Sequence, residues 1–187
     1  VQTIVNVQGV SFIAAFTAIN RVDDFAMMPQ QNIAHAATTF MAQNKGADKI
    51  SRMKKGFLRA ALLEAAYTAV VSVIVFALSG HIMRLFVSDG SGEVIRLGVS
   101  YLQLISILYV MPAVTNIIQG FFRGLGDLKI TLISTALNMT ARFLSAWIMI
   151  HIMHGGFECL AWSNMIGWIA MLALQIPLIL KRWKKER

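Results

Sequence analysis

Gly120-Phe-Phe-Arg-Gly-Leu-Gly-Asp-Leu-Lys129 is a short, charged, glycine-rich stretch set between two long apolar runs. Residues 98–119 lie behind it and 130–150 ahead. Each run meets the ~20 residues that a bilayer crossing asks of a helix. Gly120, Gly124 and Gly126 admit turn conformations closed to other residues, and Arg123, Asp127 and Lys129 hold the turn in water at headgroup level. A soluble hairpin needs no apolar arms of this length. The stretch therefore reads as a joint in an all-α, polytopic membrane protein.

Composition agrees. Hydrophobic residues make up 57% and charged residues 14% of the 187, against roughly 45–50% and about 25% in a soluble domain. Mean hydropathy is +0.63. A net charge of +8 points to nucleic acid only where basic residues share a face of a soluble fold. Here they collect at the ends of apolar runs, so the lipid bilayer is the expected partner and nucleic acid is not. The single cysteine, Cys159, excludes an internal disulfide and a cysteine-based metal cluster; it reads as a small apolar residue at a helix start. The chain opens on Val1 without a basic n-region or cleavage site. No signal peptide is expected, and an upstream portion is expected to be missing.

Five spans are expected, at about 11–43, 57–79, 98–121, 129–150 and 159–180. The first is the least apolar and too long for a straight crossing, with Pro29 placed to kink it. Charge orients the set. If all five cross, Lys45, Lys49, Arg52, Lys54, Lys55, Arg123, Lys129, Lys181, Arg182, Lys184, Lys185 and Arg187 lie on one side, and only Arg84 and Arg96 on the other. The basic side faces the cytoplasm, so the C-terminus is cytoplasmic and the protein is expected in the cell's inner membrane. Between the second and third spans, residues 81–97 are expected to form two short interfacial turns about a Ser88–Gly92 tip.

Polar side chains at membrane depth mark function or a specific partner. In the first span Thr17, Asp24, Gln31 and Thr38 recur every seven residues, with Asn20 and His35 between them. They share one helix stripe, suited to a water-filled cavity or a neighbouring helix. Asp24 is the leading candidate for a proton- or cation-binding carboxylate, Asp23 its competitor, and Arg21 is spaced to pair with Asp24; a structural ion pair is the plainer alternative. Glu64, with Thr68 and Ser72 at four-residue steps, is expected to reach the cytoplasmic headgroups near Arg59. The third span carries Gln103, Ser106, Tyr109, Asn116 and Gln119, with Pro112 as a kink; such a row binds substrate or serves as interhelical glue. The fourth carries Thr131, Ser134, Asn138, Arg142 and Ser145. Arg142 falls near mid-span and needs an anionic partner, for which Asp23 or Asp24 is spaced. His35 reads as a hydrogen-bonded interior residue, and His151 and His154 as interfacial ones. Trp162 and Trp183 suit the membrane interfaces.

Ile13-Ala-Ala-Phe-Thr-Ala-Ile-Asn-Arg-Val-Asp23, Met28-Pro29, Thr39-Phe-Met-Ala-Gln-Asn-Lys-Gly-Ala-Asp-Lys49 and the stretch 120–129 together resemble the multidrug and toxic compound extrusion (MATE) family. The resemblance spans nearly the whole chain but only the second half of the family's twelve-helix pattern. It implies that the five spans are helices eight to twelve, that residues 1–10 end helix seven, and that an N-terminal lobe of the same protein is absent. It further implies a cation-coupled antiporter with no resident cofactor, in which Na⁺ or H⁺ enters as a small organic, typically cationic, compound leaves between two rocking lobes. Some sodium-coupled relatives place an acidic residue in helix ten, whereas 98–121 holds no Asp or Glu. A lipid-linked oligosaccharide or polysaccharide flippase of a related superfamily is the alternative, and it requires a more cationic lumen than Arg21 and Arg142 supply. An enzyme is not expected, because no nucleophile–base arrangement, HExxH or phosphate loop occurs. A reporter fused after Arg187 of the full-length protein should read as cytoplasmic; an external reading would overturn the five-span topology.

Overall fold

The computed structural model describes residues 10–86, 92–152 and 158–185, which form six α-helices and no strand. They are α1 (Val10–Gly46), α2 (Ile50–Phe86), α3 (Gly92–Leu108), α4 (Val110–Gly124), α5 (Leu128–His151) and α6 (Cys159–Lys185). Residues 1–9, His154 and most of the Ser88–Gly92 tip lie outside the described residues. By length and composition α2 and α6 qualify as membrane spans, and α3 with α4 as a third, broken one. α1 and α5, which carry the polar stripes, fall short of that apolarity.

The second span is longer than its apolar core. At 37 residues, α2 extends about 55 Å, so Arg52, Lys54 and Lys55 ride on its first turns rather than in a loop. At the other end α2 continues through His81–Phe86, and α3 begins at Gly92. The two interfacial turns expected over 81–97 do not form. Fully buried Met83 packs against Gly98, where a Cβ would lie 2.1 Å from its Cε, and Val94 joins the same core. That burial carries both helices on.

α3 and α4 meet at 46°. Pro112 has no N–H to give the Leu108 carbonyl, so the helix breaks at Tyr109, as the sequence expects. α1 runs through Pro29 as one assigned helix. Pro29 cannot bond the Phe25 carbonyl, and next to that position the Tyr67 hydroxyl of α2 donates to the Ala26 carbonyl at 3.0 Å.

The quoted stretch divides its glycines between two tasks. Only Gly126 needs a conformation that other residues resist, with φ +85. The Asp127 N–H reaches the Phe122 carbonyl and the Gly126 N–H reaches the Arg123 carbonyl, at 2.9 and 3.0 Å. This is a Schellman ending for α4. The α1–α2 connection repeats it with Asp48 at φ 55, where Lys49 and Asp48 N–H groups bond the Asn44 and Lys45 carbonyls. Gly120 and Gly124, expected in the turn, are instead helical and lie against α1. A Cβ on Gly120 would sit 2.9 Å from the Ala34 carbonyl oxygen, and one on Gly124 would sit 2.9 Å from Met41 Cβ and 3.0 Å from the Thr38 carbonyl oxygen. The Thr38 hydroxyl donates to the Ala34 carbonyl of its own helix at 2.8 Å and shares that proton with the Gly120 carbonyl at 3.2 Å.

Two apolar clusters fill the interior. One gathers Phe16, Ile19, Val75, Met83, Tyr101, Ile105 and Leu160. The other gathers Met41, Met53, Phe57, Ile117, Phe121 and Phe122, with the Trp183 ring 5.5 Å from Phe57 and 5.8 Å from Phe121. At this end Lys54 lies over the Trp183 ring and bonds its carbonyl at 2.9 Å, and Arg182 pairs with Asp127 at 2.6 Å. The outward faces of α2 and α5 are apolar, with Leu62 71% and Leu132 70% exposed, the reverse of a soluble surface.

Replacing Gly124 with Leu should cost about 1–3 kcal/mol through forced separation of α1 and α4. Gly80, helical with open space around its α-carbon, should gain roughly 0.5–1 kcal/mol on becoming Ala. Thermal unfolding of the detergent-solubilised full-length protein reads both, and equal midpoints for the two variants would reject the packing assignment.

Candidate functional site

α1 presents two adjacent aspartates, and the fold treats them differently. Asp24 is exposed, whereas Asp23 is turned inward and accepts a 2.6 Å hydrogen bond from the hydroxyl of Tyr109. Tyr109 is 1% exposed and stands at the break between α3 and α4. A bond this short from a phenol to a carboxylate belongs to the charge-assisted class. From α5, half-buried Arg142 acts electrostatically on Asp23, while its Nε is buried with no hydrogen-bond partner. Tyr101, under the influence of both charges, accepts a 2.9 Å bond from Asn164 Nδ2 of α6. Asp23, Tyr101, Arg142 and Asn164 thus bring four helices, with Tyr109 at the α3–α4 break, to one polar interior.

Other expected positions scatter around this centre. Arg21 is exposed and makes no ion pair with Asp24; the ion pair among the described residues is Arg182–Asp127. Thr17, Gln31 and His35 are exposed and Asn20 is half-buried, so the stripe lies on a face of α1 turned away from the other helices. The His35 side chain is accordingly exposed on this lobe rather than hydrogen-bonded within it. Thr38 leaves the stripe for Gly120. Gln103 and Asn116 are half-buried, and Gln103 gives its carbonyl to Ser106. In the charged turn Gln119 accepts from Arg123 at 3.1 Å. Glu64 is the clearest correction: it is 1% exposed and faces inward, with Arg59 out on the surface. Its spacing from Thr68 holds, but Thr68 is buried too and receives a 2.9 Å bond from Gln30. His151 stacks on Trp147 with ring centres 5.6 Å apart, in keeping with an interfacial place.

Gln30, Tyr67, Tyr101 and Asn164 escaped the sequence reading. Asn164 and Gln175 had a usable signal, being the two amides of an otherwise apolar segment; Gln175 donates to Ser134 at 3.3 Å. Tyr101 and Tyr67 had none, since a tyrosine in an apolar run is equally a packing residue.

A groove lies elsewhere, between α1 and α2 near their connection. It holds about 840 Å³ and is lined by Met28, Asn32, Phe40, Arg52, Lys55 and Arg59 among others. Three cations there disfavour a cationic occupant.

A bent, multi-helix membrane lobe with a buried carboxylate–phenol pair is the class that fold and site define. The chain belongs to the MatE family, whose pattern matches residues 2–148. It is 23% identical over 155 residues to the probable multidrug resistance protein YpnP of Bacillus subtilis (strain 168), covering 79% of this chain and 34% of that one. It superposes on a MATE structure in complex with MaL6 with a TM-score of 0.89 at 18% identity, over 99% of this chain and 42% of that chain. An outward-facing multidrug resistance MATE transporter of the MOP superfamily gives 0.85 at 18% identity, over 94% and 39%. The chain therefore spans about two-fifths or less of the length of these relatives. It is a multi-pass membrane protein segment.

Gln31 is exposed and Gln30 is 1% exposed on adjacent positions of α1. In the full-length protein carrying Cys159→Ser, Gln31→Cys should react with a water-soluble thiol reagent and Gln30→Cys should not. Equal labelling would remove the facing assigned to α1.

Proposed function

We propose that this chain forms most of the C-terminal lobe of a cation-coupled multidrug efflux antiporter, with five of its segments crossing the inner membrane and its C-terminus cytoplasmic. An N-terminal lobe of the same protein completes the path. The family match and the length of the relatives support that reading. The exported compound is a small organic cation, held between the lobes against the exposed stripe of Thr17, Asp24, Gln31 and His35.

The observation that carries the coupling role is the 2.6 Å bond between Asp23 and Tyr109. Tyr109 occupies the break of the α3–α4 span, so the charge on Asp23 is tied to the geometry of that break. As a carboxylate, Asp23 is a strong acceptor for the phenol and a counterion for Arg142. Taking up H⁺, or sharing its oxygens with Na⁺, weakens both ties. An ion that binds one arrangement of the break better than the other shifts the population toward it. Charge in this role sits on Asp23 rather than on Asp24, because only Asp23 touches the break of the α3–α4 span. The flippase alternative is not favoured. Arg142 is half-buried within the field of Asp23, which leaves Arg21 as the exposed cation on that face of α1.

Inverted membrane vesicles containing the full-length protein, supplied with a fluorescent organic cation and an imposed Na⁺ or H⁺ gradient, test this directly. Asp23→Asn should lower gradient-driven uptake at least about tenfold, equivalent to about 1.4 kcal/mol, at unchanged protein level. Asp24→Asn, on the substrate-facing stripe, should raise the cation concentration needed for half-maximal uptake while leaving its dependence on the gradient unchanged. Full gradient dependence in both variants would move coupling out of this lobe, and its selective loss in Asp24→Asn would reverse the assignment.

A further inference from the structure

Glu64 occupies the gap between the two apolar clusters. On α2 it lies between Phe57 of one and Val75 of the other, and it is 1% exposed. Neither carboxyl oxygen has a hydrogen-bond partner. One helical turn further, Thr68 accepts the bond from Gln30 Nε2, which leaves Gln30 Oε1 buried and unpartnered as well. The orphaned side-chain atoms of this gap are thus three oxygens, and all three are acceptors.

Around them the walls are hydrocarbon. A cavity of about 500 Å³ runs beside Glu64, Thr68 and Ser72 and is lined on its other side by Val110 and Ile117 of α4 and Ile179 of α6. The lining contributed by α4 and α6 carries no charged or titratable side chain, α1 contributes the neutral Gln30, and no charge acts on Glu64 among the described residues. On α2 itself Arg59 is out on the surface and the Tyr67 hydroxyl is committed to Ala26.

An ionised carboxylate without a partner is among the costliest groups to bury in such a place. A cluster made only of acceptors is completed by a donor that also brings positive charge. A single proton does both. It neutralises the carboxylate and creates an O–H that can donate toward the neighbouring oxygens. A metal cation of the hard class calls for a shell of oxygen ligands, and the aliphatic walls of α4 and α6 do not supply one. We propose that Glu64 is an interior proton-binding site, separate from Asp23, that exchanges its proton through the adjoining cavity. The site rests on burial and orphaned acceptors, and it stands whether or not Asp23 couples transport.

Dicyclohexylcarbodiimide, an apolar reagent that captures protonated carboxyl groups, tests the proposal without any transport assay. The full-length protein in liposomes of phosphatidylethanolamine and phosphatidylglycerol is treated over a series of pH values, and the adduct is mapped by mass spectrometry. An adduct at Glu64 is expected that is lost as the pH rises, is indifferent to Na⁺ and persists in Asp23→Asn. Absence of the adduct at every pH, or a level that does not change with pH, overturns the exchanging site. Protection by Na⁺ at fixed pH overturns it in favour of a sodium site. Glu64→Gln, neutral and of matched size, should give no adduct there and keep the wild-type thermal midpoint; a large drop in midpoint would show that the negative charge itself is required, against the proposal.

Discussion

Contact between the backbone of α1 and the glycine face of α4 is the constraint on which the rest of the lobe hangs. Inside a bilayer, lipid tails are as apolar as leucine, so helices gain little from hiding hydrocarbon and associate through close packing and hydrogen bonds. Gly120 and Gly124 provide that closeness, with the Ala34 and Thr38 carbonyls where side chains would otherwise stand. The Thr38 hydroxyl adds a bond across the crossing. Once α4 is fixed against α1, the break at Tyr109 is carried to the level of Asp23, about four turns back along α1 from Thr38. The carboxylate–phenol bond is a consequence of a packing event at the opposite end of the helix.

Burial without water explains why so few polar groups recur in so few arrangements. Backbone groups are satisfied within helices or at their ends, as at the two Schellman turns. The exceptions are side chains. Glu64, Gln30, Asn164 and Gln175 each leave oxygen atoms unpartnered, and all four sit between helices rather than against lipid. Acceptors outnumber donors in this interior, which favours occupants with protons or positive charge. Among the described residues, Arg142 Nε and the Thr131 hydroxyl are the unpartnered donors.

The all-helical class was legible because a long apolar run has one inexpensive solution in a membrane, although α2 runs past the expected 57–79 at both ends and the third span divides into two helices. The break at Pro112 was legible because its cause is covalent. What the chain did not disclose was facing. Asp23 and Asp24 are neighbours of the same chemistry, and a rotation of about 100° between them decides which one meets Tyr109. The seven-residue period of Thr17, Asp24 and Gln31 identified a stripe correctly as a stripe, but the strongest polar contact lies off it. Glu64 was misplaced for a related reason: its distance from the basic end suggested reach toward water, whereas only packing against α4 shows the side chain turned inward. Gly120 and Gly124 looked like turn residues because a glycine reads alike whether it serves a backbone angle or a near neighbour.

The end of α6 carries a further lesson about biogenesis. Arg182 and Lys54 both belong to the basic residues collected at one end of the apolar segments, where positive charge is expected to orient a membrane protein. In the folded lobe the same two side chains fasten the end of α6, one to Asp127 and the other to Trp183. An orientation signal is ordinarily replaceable by any cation, since the insertion machinery counts charge. Here the two uses draw on different properties of one residue. Lysine at 182 would keep the count while giving up the planar guanidinium that matches a carboxylate. Orientation and assembly are therefore inherited together at these two positions, and drift in one is restrained by the other.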